Sequence, residues 1–345
     1  MAYRAAVVGG SGYTGAELLR LLLGHPEIDV VHVTADSNAG AAVGALYPSL
    51  AAAYPALEYV PYAAADLGGV DVAFLALPHG ESQSIAGEVG DRVAHIVDLG
   101  ADFRLPAGVY EQWYGRPHTA PELLDRFAFG LPELFPDVVT RGPHIAAPGC
   151  YPTAAALALA PLVAGGLVEP QGLVVDAMSG VSGRGRGLSA ASLYSEANEN
   201  VAAYTLLTHR HTGEMEWAIG QAARAEVQLL FTPHLVPMTR GLLATCHARP
   251  AHSGLTTTSL LDTFRAFYAG AAFVTVLDEP PLTKATLASN SAHVTVRFDD
   301  RTGSVLSLCA LDNLGKGAAG QAVQCANLVL GLPETTGLPA VGVVP

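Results

Sequence analysis

A glycine-rich turn near the amino terminus constrains this chain more than any other feature. Ala5–Val8 is a short apolar run of the kind that makes a buried parallel strand. Gly9-Gly10-Ser11-Gly12-Tyr13-Thr14-Gly15 follows, and then Ala16–Leu23, whose leucines recur at helical spacing until Gly24, His25 and Pro26 end the helix. Glycine suits such a turn because a Cβ would hold a pyrophosphate off the backbone. The helix start then offers unpaired N–H groups and a partial positive charge. Gly9, Ser11, Gly12, Tyr13, Thr14 and Gly15 are therefore candidate dinucleotide contacts. The spacing is GxxGxxG rather than GxGxxG, and an ordinary tight turn is the competing reading. The place of the turn, after a strand and before a helix, favours the dinucleotide.

The following segments extend the same pattern. Asp29–Thr34 reads as a second strand, Val70–Leu77 as a third that ends at Pro78, Ile85–Val89 as a helix and His95–Leu99 as a further strand. Strands alternating with helices predict a parallel α/β sheet. The second strand runs into Asp36-Ser37-Asn38. Asp36 suits the ribose hydroxyls of NAD, whereas Ser37 and Asn38 suit the 2′-phosphate of NADP. Arg104–Arg141, rich in proline and aromatic residues, reads as an irregular crossing, and Ile145–Ala147 as a short strand leading to Cys150.

Beyond residue 150 the texture changes. Leu173–Met178, Gln228–Val236, Leu242–Ala248, Ala272–Leu277, His293–Phe298 and Val305–Ala310 are β-like runs with few helices between them, and Gly317–Leu330 is a helix. The expected fold class is α/β: a Rossmann-type parallel-sheet domain plus an inserted α+β mixed-sheet substrate domain. The boundaries are residues 1–149 with 315–345 for the dinucleotide-binding domain, and 150–314 for the catalytic, substrate and oligomerisation domain.

Composition narrows the function. A chain of 345 residues has room for two domains, and its 50% hydrophobic content supports a large core. A net charge of −13 argues against nucleic acid and anionic membrane as partners. The four cysteines, Cys150, Cys246, Cys309 and Cys325, form neither a zinc pattern nor a disulfide scaffold. They predict reduced thiols, no bound metal and a cytoplasmic location. No signal peptide is legible. The longest apolar stretch, the alanine-rich run after Thr153, is interrupted by Pro161 and Gly165–Gly166, which predicts a buried helix and no membrane span.

Cys150 stands out among the thiols. It lies between Gly149 and Tyr151-Pro152, and proline is tolerated in a first helical turn, so Cys150 is placed at a helix N-terminus where the dipole favours the thiolate. A thiolate attacks carbonyls. The other three cysteines sit in apolar elements and read as structural. His209 and His211 flank Arg210 just before a helix; a histidine there suits proton transfer near neutral pH, and a surface capping pair is the alternative. Arg184 and Arg186 lie in the glycine-rich loop Ser179–Gly187, which suits an anion, with a plain surface loop as the alternative. Arg104 follows the strand His95–Leu99 and falls at the carboxyl edge of the sheet, where such folds bind ligands; an ion pair with Asp98 or Asp102 is the competing role.

Taken in order, GGSGYTGAELLRLLLGHPEI (Gly9–Ile28), LALPHG (Leu75–Gly80), DLGADFRL (Asp98–Leu105), APGCYPTAA (Ala147–Ala155), SGVSGRGRG (Ser179–Gly187), HRHTGE (His209–Glu214), FTPHLVPMTRGLL (Phe231–Leu243), DNLGKGAAGQAVQ (Asp312–Gln324) and GLPETTGL (Gly331–Leu338) resemble the N-acetyl-γ-glutamyl-phosphate reductase family, relatives of aspartate-semialdehyde dehydrogenase. The resemblance covers essentially the whole chain. It implies a phosphorylating aldehyde dehydrogenase of arginine biosynthesis that releases phosphate through a cysteine thioester. It implies Cys150 as nucleophile, His209 as acid/base, and NADP(H) as cofactor with NAD(H) as the alternative. It extends the cofactor contacts to Ser37, Pro78 and Asn313. By analogy, Arg104 meets the transferred phosphate, and Arg184, Arg186 and His211 meet the rest of the substrate. A homodimer or homotetramer is the implied assembly. The rivals are the lysine-pathway reductase of carrier-linked amino-adipate or glutamyl phosphate, aspartate-semialdehyde dehydrogenase itself, and an inactive dinucleotide-binding regulator. The acidic net charge disfavours docking of an acidic carrier, HRHTGE and GLPETTGL disfavour the second, and Cys150 with His209 disfavours the third.

Overall fold

The computed structural model describes residues 2–62 and 67–344. The chain divides into two compact units. One runs to Pro148 and includes Ala318–Leu338; the other holds Gly149–Gly317 and the tail from Pro339.

The first unit is built on a six-stranded sheet in the order β2-β1-β3-β4-β6-β5. Its strands are β1 (Tyr3–Val8), β2 (Ile28–Val33), β3 (Val72–Leu75), β4 (His95–Asp98), β5 (Phe127–Phe129) and β6 (His144–Ala146). Every neighbouring pair is parallel. A parallel sheet must be covered on both faces, which explains why its strands read as continuous apolar runs. The period of two divides the cover. Ala5, Val7, Val72 and Phe74 join Leu18 and Leu22 of the helix Tyr13–Leu23 and Ala322, Val323 and Ala326 of the helix Gly320–Val329. Ala6, Val8, Ala73 and Leu75 face the opposite side, with Ala86 and Val89 of the helix Ser82–Gly90. The sheet is thus of Rossmann type.

Three expectations shift in this unit. The first helix starts at Tyr13 rather than Ala16, inside the glycine turn. The last helix is Gly320–Val329, preceded by a wide helical turn at Gly315–Ala319. The stretch read as irregular contains the helices Ala107–Tyr114 and Pro136–Arg141, a 3₁₀ turn Pro121–Arg126 and the edge strand β5. Pro121 and Pro136 open their turns because a first helical residue needs no N–H partner, so prolines that look like breakers act as starters.

The second unit holds a seven-stranded mixed sheet in the order β11-β12-β13-β10-β7-β9-β8. Its strands are β7 (Leu173–Gly180), β8 (Ala202–Ala203), β9 (Leu229–Val236), β10 (Leu242–Ala248), β11 (Val274–Val276), β12 (Ala292–Asp299) and β13 (Ser304–Leu311). The pairs β7–β9 and β11–β12 are parallel and the others antiparallel. The tail from Pro339, expected with the first domain, groups instead with this unit. Its Pro339 carbonyl accepts the Asn290 N–H (2.8 Å) and its Val343 N–H donates to Leu287 (3.0 Å).

The centre of the second unit is the helix Cys150–Ala164, in which every residue from Tyr151 to Val163 is buried. It carries apolar residues on all sides, as a core helix does. Pro161 reads in the sequence as an interruption, yet the helix runs through it to Ala164. A proline inside a helix deprives the carbonyl four residues earlier of its N–H donor. That carbonyl belongs to Leu157, and it accepts the Tyr268 hydroxyl at 2.6 Å. A tertiary bond thus replaces the missing helical one. Tyr268→Phe should cost about 1–3 kcal/mol in urea unfolding, because it leaves a buried carbonyl unsatisfied. Adding Pro161→Ala should recover most of that loss, since the new N–H reaches Leu157; independent, additive effects in the cycle would refute the exchange of donors.

Candidate active site

In the first unit the chain leaves β1 for β2 on one side and later adds β3 on the other, which makes the gap between β1 and β3 the switch point of the sheet. The glycine turn sits there. Gly9 has φ +79°, and a Cβ on it would lie 2.7 Å from the Ala76 carbonyl oxygen, so the turn rests against the segment that leaves β3 for Pro78. A Cβ on Gly15 would overlap the Gly10 backbone. Gly12 is different: a Cβ there meets nothing within 4 Å. Gly12 also caps the helix with no side-chain bond, and helix geometry gives the Tyr13, Thr14 and Gly15 N–H groups no partner inside the helix. A glycine that packing does not require, beside free helix N–H groups, fits a pyrophosphate cradle. Gly9 N–H donates to Thr34 Oγ1 (3.2 Å), and the Ser11 carbonyl and hydroxyl accept from Tyr47 (2.9 Å) and Asn38 (3.2 Å). Asn38, read as a phosphate contact, is therefore already engaged with Ser11, while Asp36 and Ser37 are exposed at the end of β2.

Arg104 is buried at the carboxyl edge of the same sheet, and its guanidinium donates to the Leu99 carbonyl at 2.9 Å. Of its two suggested ion-pair partners, Asp102 gives both carboxylate oxygens to the Gly80 N–H (2.7 and 2.9 Å). Asp98 accepts from the Ser82 hydroxyl (2.7 Å) and the Gly100 N–H (2.9 Å). Complete burial raises the Asp98 carboxyl to about 7, against the opposing pull of Ser82.

The second unit gathers the thiol and the histidines. Gly149 is the helix N-cap and Cys150 the first helical residue. The buried Glu214 carboxylate accepts the Gly149 N–H at 2.7 Å, and Thr153 donates from its hydroxyl to the Gly149 carbonyl at 2.9 Å. The cap residue is fixed on both sides. Gly317 closes the other flank, since a Cβ there would stand 2.7 Å from the Cβ of Cys150. The ring of Tyr151 meets those of His209 (5.7 Å between centroids), His211 (6.0 Å) and Phe231 (5.2 Å). The Tyr204 hydroxyl donates to that of Tyr151 at 3.2 Å, and the Tyr204 ring lies 5.5 Å from His209. Arg184 lies over the Tyr204 ring at 5.8 Å, and both Arg184 and Arg186 are exposed. Cys150, His209, His211 and Arg184 thus belong to one neighbourhood.

His209 Nδ1 accepts the His211 N–H at 3.1 Å, which puts the proton of the neutral ring on Nε2. Burial first, and Arg210 second, lower this imidazole to about 4. The ring is therefore neutral at physiological pH. Between pH 6.5 and 4 the unfolded chain binds a proton that the folded chain refuses, so this group costs stability as pH falls through that window. Burial likewise raises the Tyr204 phenol to about 12 and lifts that of Tyr151, both further raised by the charge of Cys150. Both tyrosines therefore stay neutral donors.

Asn313 is buried and ties loops together: its Oδ1 accepts the Gly241 N–H (2.8 Å) and its Nδ2 donates to Ser182 (3.0 Å). Sequence reasoning misses Tyr151, Tyr204, Phe231, Glu214 and Gly317. Tyr151, Glu214, Phe231 and Gly317 stand inside the APGCYPTAA, HRHTGE, FTPHLVPMTRGLL and DNLGKGAAGQAVQ motifs, whereas Tyr204 carries no signal of its own.

Two substitutions test these placements. Gly12→Asn supplies a better helix cap, so thermal stability should hold or rise while dinucleotide affinity falls at least tenfold in a fluorescence titration. Unchanged affinity would move the pyrophosphate elsewhere. Gly317→Ala should displace Cys150 and cut turnover on the order of 10²-fold, with a matching change in the alkylation rate of the thiol.

Among the described residues no helix is long and apolar enough to cross a membrane, and no cluster of His, Cys, Asp and Glu could hold a metal. Residues 4–141 match the semialdehyde dehydrogenase NAD binding domain, and residues 150–313 match the semialdehyde dehydrogenase dimerisation domain. An N-acetyl-γ-glutamyl-phosphate reductase of Symbiobacterium thermophilum is 47% identical over 100% of this chain and 99% of its own length. That of Desulforudis audaxviator is also 47% identical, over 99% of both chains. Among solved structures, aspartate semialdehyde dehydrogenase II of Vibrio cholerae superposes with a TM-score of 0.74 at 16% identity, covering 96% of this chain and 99% of that one, which speaks to the fold. The chain therefore belongs to the semialdehyde dehydrogenases and, within them, to the N-acetyl-γ-glutamyl-phosphate reductase family.

Proposed function

We propose that this chain reduces N-acetyl-γ-glutamyl phosphate to N-acetyl-L-glutamate 5-semialdehyde with release of phosphate, using NADPH, in arginine biosynthesis. One observation carries the reading: Cys150 heads a buried, doubly fastened helix, and the adjoining Tyr151 meets His209 and His211 with its ring and Tyr204 with its hydroxyl. Full-length relatives of that name support the substrate.

The helix N-terminus stabilises the Cys150 thiolate, which attacks the acyl phosphate. The carbon–sulfur bond forms, the carbon–oxygen bond to phosphorus breaks, and the phosphate leaves with the electron pair. Arg104 is assigned to that phosphate, and His211 with Arg184 and Arg186 to the remainder of the substrate. A nicotinamide held by the glycine turn would supply the hydride that reduces the thioester. Backbone N–H groups at the helix start hold the oxyanion. His209 serves the proton traffic at Nε2, the nitrogen not taken by His211. Collapse of the adduct re-forms the carbonyl and returns the thiolate.

The glycine turn would hold the cofactor pyrophosphate, and Ser37, Pro78 and Asn313 are assigned as further cofactor contacts. The exposed Ser37 hydroxyl supports NADP(H) over NAD(H). We place the reaction in the cytoplasm, in keeping with four free cysteines, three of them buried. A homodimer or homotetramer accords with the dimerisation domain matched at residues 150–313.

The test runs the reaction backwards. N-acetylglutamate semialdehyde should reduce NADP only when phosphate is present, followed by absorbance, with NAD in parallel. Cys150→Ser should lower this rate by at least about 10³-fold while dinucleotide still binds. Turnover without Cys150, or without phosphate, would overturn the mechanism.

A further inference from the structure

Two buried carboxyl groups stand near Arg104 at the carboxyl edge of the parallel sheet, and their surroundings differ. Asp102 meets donors on both oxygens: the Gly80 N–H at 2.7 and 2.9 Å, the Gln83 N–H at 3.3 Å and the Tyr110 hydroxyl at 3.4 Å. Asp98 meets donors on Oδ1 alone, from the Ser82 hydroxyl at 2.7 Å and the Gly100 N–H at 2.9 Å. Its Oδ2 is buried and has no hydrogen-bond partner among the described residues. Gly100 walls this carboxyl in, since a Cβ there would stand 2.9 Å from Oδ1 and 3.4 Å from Oδ2. Its strand neighbours, Leu75 on β3 and Ala146 on β6, bring no charge. The charged groups that act on it are Asp102, which favours the proton, and Arg104, which opposes it. Beyond Asp102 stand Tyr110 and His118, the latter bonded through Nε2 to the Asp102 carbonyl at 2.7 Å.

We infer that Asp98 takes up a proton on Oδ2 as a phosphate dianion binds at Arg104, which makes it a positioning residue for anion capture. This rests on the assignment of Arg104 to phosphate under the proposed function and adds the proton that travels with the anion. Charge balance carries the argument. With Asp98 ionised, two carboxylates outweigh the single guanidinium, and the edge repels a dianion. With Asp98 neutral, Asp102 and Arg104 cancel. Negative charge brought into so dry a place raises the cost of an ionised Asp98, so the dianion draws in a proton. Burial already raises this carboxyl to about 7, so the exchange falls in the physiological range. The step balances: a solvent proton forms the Oδ2–H bond as the anion enters and returns to solvent as it leaves, and no electrons move. In the reductive direction a rise in pH therefore favours release of the phosphate.

Sulfate tests this apart from catalysis, because unlike phosphate it keeps its double charge from about pH 6.5 to about pH 8.5. It is titrated calorimetrically into the full chain in two buffers of different ionisation heat, which counts the protons taken up. The wild type should take up about half to one proton per sulfate near pH 8, and should bind at least about tenfold more weakly at the upper end of that range than at the lower. Asp98→Asn keeps the acceptor for Ser82 and Gly100 and puts an amide where the proton goes. It should match the wild type at the lower pH, take up no proton and lose the pH dependence. Ser82→Ala removes a donor that favours the ionised form, so its affinity should begin to fall at higher pH. That second variant decides the matter if the first fails to fold. Wild-type proton uptake in Asp98→Asn, or a Ser82→Ala profile that does not move, would overturn the coupling. So would a wild-type chain that binds no sulfate, or binds it no better than Arg104→Leu does. Failure of the proposed reaction would show instead as proton-coupled sulfate binding in a chain that reduces no dinucleotide with the semialdehyde and phosphate, and the coupling would stand.

Discussion

The bond between the Gly149 N–H and the Glu214 carboxylate is the constraint on which the site of the second unit depends. It joins the cap of the central helix to the helix His211–Ala223, and so fixes the thiol and the histidine segment in one frame. Its strength comes from burial. A carboxyl oxygen and a backbone donor, both shielded from water, make a bond that bends little and that nothing in solvent replaces. The central helix is buried along its length, and Gly317 lies against Cys150 with no room for a Cβ. Cys150, the proposed nucleophile, is thus held in a packed frame, as the proposed covalent route requires.

The same economy of donors recurs where the helix could have failed. Pro161 removes a helical bond, and the Tyr268 hydroxyl takes over the Leu157 carbonyl from another helix end. Asp312 shows the pattern in a loop: wholly buried, it accepts N–H groups from Ala288 (2.6 Å), Leu314 (2.9 Å) and Gly315 (3.1 Å) and pairs with Arg240 at 3.0 Å. The Leu157 carbonyl and the Asp312 carboxylate are tolerated in the interior because each has partners supplied by other parts of the chain.

In the first unit, glycines divide into two kinds. Gly9 and Gly15 are glycine because the protein itself comes too close, to the Ala76 carbonyl and to Gly10. Gly12 is glycine although the protein leaves it room. That contrast supports the proposed cradle at this turn, and periodicity alone does not reveal it.

The longer strands of both sheets are legible as runs of mostly apolar residues, because they line buried faces. The Pro-Gly-Cys sequence likewise places Cys150 at a helix start, because a first helical turn accepts proline. The short elements between Ala107 and Arg141, the two-residue strand Ala202–Ala203 and the helix through Pro161 are not legible, because each depends on partners supplied by tertiary contact. The same divide runs through the site. The sequence alone determined which residues carry chemistry, since a thiol, an imidazole and a guanidinium are fixed by residue type. Only the tertiary structure decided that His209 is neutral with its proton on Nε2, that Tyr151 and Tyr204 stay protonated, and that Arg184 stands over Tyr204. Protonation and orientation are set by burial and by the neighbour at hydrogen-bond distance, and residues as far apart in the chain as Tyr151 and Tyr204 become neighbours only when it folds.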